Sequence, residues 1–263
     1  MATLVTFHAH PDDEAIATAG VMAKAAAEGH RVVLVTATRG EHGEIVEGVL
    51  REGEPLGERR TAELEAAAGI LGLARCEVLG YTDSGMMGTP ENEQPGSFWS
   101  ADRHEAVDRL AAILAEERPD VLTVYDDHGN YGHPDHIQVH RVGVLAGERA
   151  GVPKVYEATV NRDHIRRLMA ERPLDAEGVD APDPDAMDLG VSEDRITTVV
   201  DVSAYLDQKR RAMVAHASQI AETSFFLAMP PEAFAATFSL EWFILRGRTP
   251  GGELEHDLFD GVA

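Results

Sequence analysis

The stretch Leu4-Val5-Thr6-Phe7-His8-Ala9-His10-Pro11-Asp12-Asp13-Glu14 decides the fold, because a short apolar run passes within a few residues into a helix start. About 120 residues further on the pattern returns as Val121-Leu122-Thr123-Val124-Tyr125 followed by Tyr131-Gly132-His133-Pro134-Asp135-His136. Proline suits the first position of a helix, where its missing N–H has no partner to lose. Each His-Pro-Asp is therefore read as a strand-to-helix turn, with His just before the helix and Asp in its first turn.

Working outward, apolar runs alternate with amphipathic stretches. A helix is expected from Pro11 towards Ala27, a buried strand at Val32–Thr36, a helix through Arg59–Ala68 and a third strand at Cys76–Gly80. A helix follows from Asp102 to Glu117, then the strand Val121–Tyr125, a helix towards Glu148 and the strand Lys154–Thr159. Such alternation with continuously apolar strands predicts an α/β, Rossmann-like fold: a mostly parallel sheet with helices on both faces. Ligands of such sheets bind at the carboxyl ends of strands, where both His-Pro-Asp turns lie.

Residues 1–160 are read as the catalytic core. Residues 161–263 are read as a C-terminal part that completes the pocket of the same domain, with a strand at Ile196–Val202, a helix at Tyr205–Glu222 and a helix plus short strand at Pro230–Phe243. The Pro/Asp/Glu/Gly-rich segment Glu171–Glu193 is read as an insertion, either a flap over the site or a solvated loop. The long loop Tyr81–Ser100 is expected to serve function, as long loops in compact domains usually do.

With 46 acidic and 23 basic residues the 263-residue chain carries −23, which makes nucleic acid and anionic membranes poor partners. No apolar run approaches the ~20 residues of a membrane span, and no signal sequence is evident at the N-terminus. The single cysteine, Cys76, excludes an intrachain disulfide and a cysteine-based zinc site and suits a cytoplasmic location. It is read as a small buried hydrophobe. Homo-oligomerisation is left open.

The two turns can bring His10, Asp12, Asp13, His133 and His136 together. His10 and Asp13 stand three apart across a helical turn, and His136 supplies a third ligand from the second turn. Two histidines and one carboxylate, with a position left for water, suit catalytic zinc, with ferrous iron as the alternative. Asp12 is then a free carboxylate beside the activated water and acts as general base. His133, protonated, would stabilise the oxyanion and donate to the leaving amine, with Asp135 orienting its ring. Tyr131 would direct its hydroxyl at the substrate carbonyl. His140 is assigned to a helix face and His128 is given no role. His8 is either a packed strand residue or a hydrogen-bond donor behind the site.

Ala9-His10-Pro11-Asp12-Asp13-Glu14 together with Tyr131-Gly132-His133-Pro134-Asp135-His136 resembles the PIG-L/LmbE-like zinc-dependent N-deacetylases, in particular their mycothiol-pathway deacetylase and amidase branch. Weaker matches are Thr38–Glu41, Arg59–Leu64, Tyr81–Met86 and Lys209 through Gln219. The resemblance implies hydrolysis of an N-acyl amino sugar, either a GlcNAc-inositol or a mycothiol S-conjugate. It implies zinc on His10, Asp13 and His136, with Asp12 as base. It also places Arg60 and Asp83 against the sugar or inositol, and Gln219 and His216 on a late helix beside the pocket. The loop Asp126–Asn130 departs from the branch's pattern, which leaves another N-acetylated small glycoside or an antibiotic precursor as the alternative substrate. A nucleotide-binding or metal-sensing module would instead need a glycine-rich phosphate turn, and the carboxylates after Leu4–Phe7 repel phosphate.

Overall fold

The computed structural model describes residues 1–171 and 188–262. In chain order they form β1 (Thr3–His8), α1 (Asp13–Ala17), α2 (Ala19–Ala27), β2 (Arg31–Thr36), α3 (Leu56–Leu71), β3 (Arg75–Val78), α4 (Arg103–Glu117) and β4 (Val121–Tyr125). Then come a single turn, α5 (Gly129–Gly132), the long α6 (Pro134–Ala150), β5 (Lys154–Thr159) and α7 (Arg162–Glu171). The chain continues with β6 (Thr198–Asp201), α8 (Leu206–Ala215), α9 (Phe225–Ala228), α10 (Pro231–Phe238) and β7 (Leu240–Leu245).

The strands form one sheet in the order β3-β2-β1-β4-β5-β7-β6. The five strands from β3 to β5 are parallel, whereas β7 runs antiparallel between β5 and β6. The α/β, mostly parallel expectation is therefore met, with an antiparallel edge that the apolar pattern alone did not reveal. Side chains alternate across the pleat and build a core on each face. Leu4, Val32, Val121 and Tyr156 pack under α2, α3, α8 and α10, while Val5, Val33, Leu122 and Val155 pack under α4 and α6.

Several boundaries shift for local reasons. The helix expected from Pro11 to Ala27 breaks at Thr18 (φ −135°, ψ 6°), whose Oγ1 binds His8 Nε2 at 2.8 Å. The new N-terminus at α2 is met by Glu241, whose two oxygens accept the Gly20 and Val21 N–H groups at 2.8 Å each. The helix expected through Glu222 ends at Ala215, because Ser218 turns away to give its N–H and Oγ to Glu63. The strand expected at Cys76–Gly80 runs instead over Arg75–Val78 at the sheet edge, and Cys76 is half-buried there rather than buried. Most of the insertion expected at Glu171–Glu193 falls on residues 172–187, outside the described residues. No described helix is long and apolar enough to cross a membrane.

Candidate active site at the carboxyl ends of β1 and β4

The site lies where β1 and β4, adjacent in the sheet, end side by side. After β4 the second turn follows the sequence expectation. His133 is the residue before the helix, Pro134 starts α6, and the His133 Nδ1 accepts the Asp135 N–H at 3.2 Å. The first turn departs from it. The helix begins only at Asp13, and Asp12 before it has φ 111° and ψ −31°, a left-handed region that a side chain with a Cβ seldom occupies. Pro11 is thus outside the helix.

Asp13 joins the two turns. Its Oδ2 accepts the His10 N–H at 2.8 Å and lies 3.3 Å from His10 Nδ1, and its Oδ1 lies 3.3 Å from His136 Nε2. Ligands about 2.0–2.2 Å from a tetrahedral zinc stand roughly 3.4 Å from each other. Each of the two His–Asp13 distances is close to that separation, although they run to different oxygens of Asp13. Both rings are buried, and His136 stacks on Tyr125 with centroids 4.3 Å apart and planes 15° apart. Behind it, Tyr125 Oη meets His8 Nδ1 at 2.9 Å, so His8 is a packed strand residue supporting the site from below. Against the cost of burial, His136 and His10 hold Asp13 well below the usual carboxylate range.

The far side of His10 faces carboxylates too: Nε2 is 3.2 Å from Asp135 Oδ2 and 3.5 Å from Asp83 Oδ1. Among the described residues the donor atoms at this site that all lie within 4.8 Å of one another belong to two other groupings. His10, His133 and His136 bring one ring nitrogen each to within 4.8 Å of one another, and so do the donor atoms of His10, Asp83 and Asp135. The carboxylates of the latter group are already engaged. Asp83 accepts the His42 and Gly85 N–H groups at 3.1 and 2.8 Å, and Asp135 accepts the Ser84 N–H at 2.9 Å as well as the Ser84 hydroxyl. They are placed to orient His10, the way carboxylates behind metal-bound imidazoles do.

This placement corrects one expectation. The Asp135 carboxylate points to His10 and Ser84, and only its backbone N–H reaches His133. His133 is also not set up as a resting cation, since burial and then the His10 and His136 rings push it down to about 4. With Nδ1 accepting a hydrogen bond, the proton of the neutral ring sits on Nε2. Tyr131 lies over the same ring group, its hydroxyl 3.5 Å from His136 Nε2, and burial followed by the Asp13 charge raises its pKa, keeping it a donor.

Asp12 is half-buried and held by Arg60, whose Nη2 is 3.0 Å from Oδ1. Burial pushes the Asp12 carboxyl up to about 6, against the pull of Arg60. Arg60 itself is 3% exposed and also donates to the Gly40 carbonyl at 2.9 Å and to the Pro11 carbonyl. Its guanidinium is therefore committed to Asp12 and the main chain rather than open to a sugar, as the sequence had suggested. Asp83 is likewise 4% exposed and committed to the loop and His10. Gln219 packs over Gly43, where a Cβ would meet its Oε1 at 2.2 Å. Of the histidines set aside, His140 Nδ1 binds the Tyr125 carbonyl at 3.0 Å and His128 Nδ1 binds Asp126 Oδ1 at 3.1 Å.

Sequence reasoning did not see Glu14 as part of this site. It is fully buried, accepts the Asp12 N–H at 2.9 Å on Oε2, and meets His216 Nε2 at 2.5 Å on Oε1. The one available signal was an acid placed among apolar and small residues in α1.

Residues 5–146 match the family described as PIG-L: GlcNAc-PI de-N-acetylase. A protein of Acidothermus cellulolyticus described as 1D-myo-inositol 2-acetamido-2-deoxy-alpha-D-glucopyranoside deacetylase is 43% identical, over 99% of this chain and 95% of its own length. A protein of the same description from Thermomonospora curvata is 41% identical over 97% of this chain and 95% of its own. Among solved structures, N,N'-diacetylchitobiose deacetylase from Pyrococcus horikoshii shares the fold at a TM-score of 0.58 and 21% identity, covering 93% of this chain and 83% of that one.

Proposed function

Because this chain belongs to the PIG-L family of GlcNAc-PI de-N-acetylases, we propose that it hydrolyses the acetamide of an N-acetylglucosaminyl-inositol, the substrate in the names of its relatives. The products are acetate and the free amine. The observation that carries the reading is Asp13, with one oxygen 3.3 Å from a nitrogen of His10 and the other 3.3 Å from a nitrogen of His136. We read residues 1–160 as the part carrying these ligands and 161–263 as the part that completes the pocket.

His10, Asp13 and His136 would hold zinc, or ferrous iron, which supplies Lewis acidity and a water acidic enough to lose its proton near neutral pH. The engaged carboxylates of Asp83 and Asp135 keep His10 in place rather than compete as ligands. Asp12, with its carboxyl at about 6, is matched to take a proton from water near neutral pH and to return it to the departing nitrogen. The neutral His133 presents Nε2–H, and Tyr131 its hydroxyl, to the oxygen on which negative charge develops. That division of labour gives the proton shuttle to Asp12 and leaves His133 as a hydrogen-bond donor.

The test measures metal content and acetate release on one preparation, with N-acetylglucosaminyl-inositol as substrate and a mycothiol S-conjugate as the comparison. About one metal ion per chain, acetate release from the first substrate, and a loss of at least about 100-fold in Asp12→Asn with metal retained are expected. Wild-type turnover in Asp12→Asn, or no metal after reconstitution, refutes the reading. Turnover of the S-conjugate alone moves the chain to the amidase reaction.

A further inference from the structure

Asp12, the base of the proposed reaction, sits at φ 111°, a conformation that its own backbone does not favour. Such a residue persists only where its surroundings hold it. Three contacts do so: Glu14 Oε2 accepts the Asp12 N–H at 2.9 Å, Arg60 Nη2 binds Asp12 Oδ1 at 3.0 Å, and the same guanidinium donates to the Pro11 carbonyl just before the strained residue.

Glu14 is held in turn. It has no exposure, and its other oxygen lies 2.5 Å from Nε2 of His216, also without exposure, which arrives from the end of α8 some 200 residues later in the chain. Neither side chain touches Asp13, His10 or His136 in the contacts given above. Burying two polar side chains is costly unless they are hydrogen-bonded, so a fully buried pair bonded to each other directly behind a strained backbone position calls for a function.

We infer that Glu14 and His216 are positioning residues for the base: His216 fixes the Glu14 carboxylate, which fixes the Asp12 peptide and so aims the Asp12 carboxylate at the reacting water. The inference rests on the proposed hydrolysis and adds a pair that neither binds metal nor meets substrate. A glutamine at 216 keeps an N–H that can reach Glu14, whereas a phenylalanine fills the space without one.

The experiment compares His216→Phe, His216→Gln and Glu14→Gln with wild type, all as zinc-loaded full chains. It measures kcat and KM for acetate release, zinc content, and thermal midpoint. His216→Phe is expected to lower kcat at least tenfold with KM and zinc content within twofold of wild type, and His216→Gln to recover most of the loss. Glu14→Gln, which keeps an acceptor for the Asp12 N–H but offers His216 an amide in place of a carboxylate, is expected to fall between them. If His216→Phe does not fold, the ranking of His216→Gln and Glu14→Gln against wild type decides in its place. Unchanged kcat in all variants overturns the inference, as does a loss that tracks zinc content or that glutamine does not relieve. A wild-type protein that binds zinc but releases no acetate refutes the proposed hydrolysis instead, and the two failures are thereby told apart.

Discussion

The left-handed backbone of Asp12 makes a stability ranking that runs opposite to the usual one. Replacing alanine by glycine ordinarily destabilises a protein by about 0.4–1 kcal/mol, because glycine leaves the unfolded chain freer. At Asp12 (φ 111°) an alanine keeps the strain of a Cβ in a sparsely occupied region, about 1–3 kcal/mol, and a glycine does not. Asp12→Ala and Asp12→Gly lose the same carboxylate, the same pairing with Arg60 and no capping bond, since the Asp12 side chain makes none. Those costs cancel in the comparison. Subtracting the entropy term from the strain leaves glycine ahead by about 0.5–2 kcal/mol, or a few degrees in Tm for a chain of this size. Urea denaturation of both variants after chelation of metal, with a common slope, measures the difference as a shift in midpoint. An alanine variant as stable as the glycine variant, or more so, would falsify the claim that Asp12 is held in strain.

Two further outcomes are expected. Tyr131→Phe removes the donor that the proposed reaction sets against the oxyanion and should lower kcat by about 10- to 1,000-fold with metal content unchanged, as acetate release and metal analysis will show; full activity removes Tyr131 from the reaction. Glu117 is bound by Arg31 at 2.6 Å and Arg75 at 2.9 Å, and these hydrogen bonds lower its carboxyl to about 2. A depressed folded pKa contributes stability that is present above about 4.5 and is lost as pH falls towards about 2. Glu117→Gln should therefore be less stable than wild type at pH 7, with the gap closing between those two values, and a constant gap in denaturation midpoints contradicts the pairing.

The sequence carried the parallel half of the fold because each strand there is an apolar run followed by its own helix, and that signal is local. The antiparallel edge was illegible for the opposite reason. Leu240–Leu245 reads as a short strand anywhere, and only pairing with β5, about 80 residues earlier, decides where it sits. The proposed ligand pattern was legible as residue types at helical spacing, and the structure sets both histidines against Asp13. Partnerships were not. Asp135 stands beside His133 in sequence, yet the first turn of α6 swings its carboxylate to His10, where Ser84 locks it. Arg60 was set against a sugar by the resemblance alone, and a helix with alternating charges hides which of them the fold buries. His216 was placed beside the pocket by the resemblance, but its partner was illegible because Glu14 comes from the other end of the chain.

The strand order has a consequence for the way the chain is made. β6 lies at the sheet edge and pairs with β7 alone among the strands, yet β7 begins 39 residues after β6 ends, at Leu240 against Asp201. At about 5–20 residues per second of synthesis, β6 leaves the ribosome about 2–8 s before the strand it must join. For that interval the main-chain groups of Thr198–Asp201 lack the strand they bond in the finished sheet. β7 is thus the keystone of the last third of the molecule: made last of the strands, it is the one that ties the earlier β6 to β5 and so to the rest of the sheet.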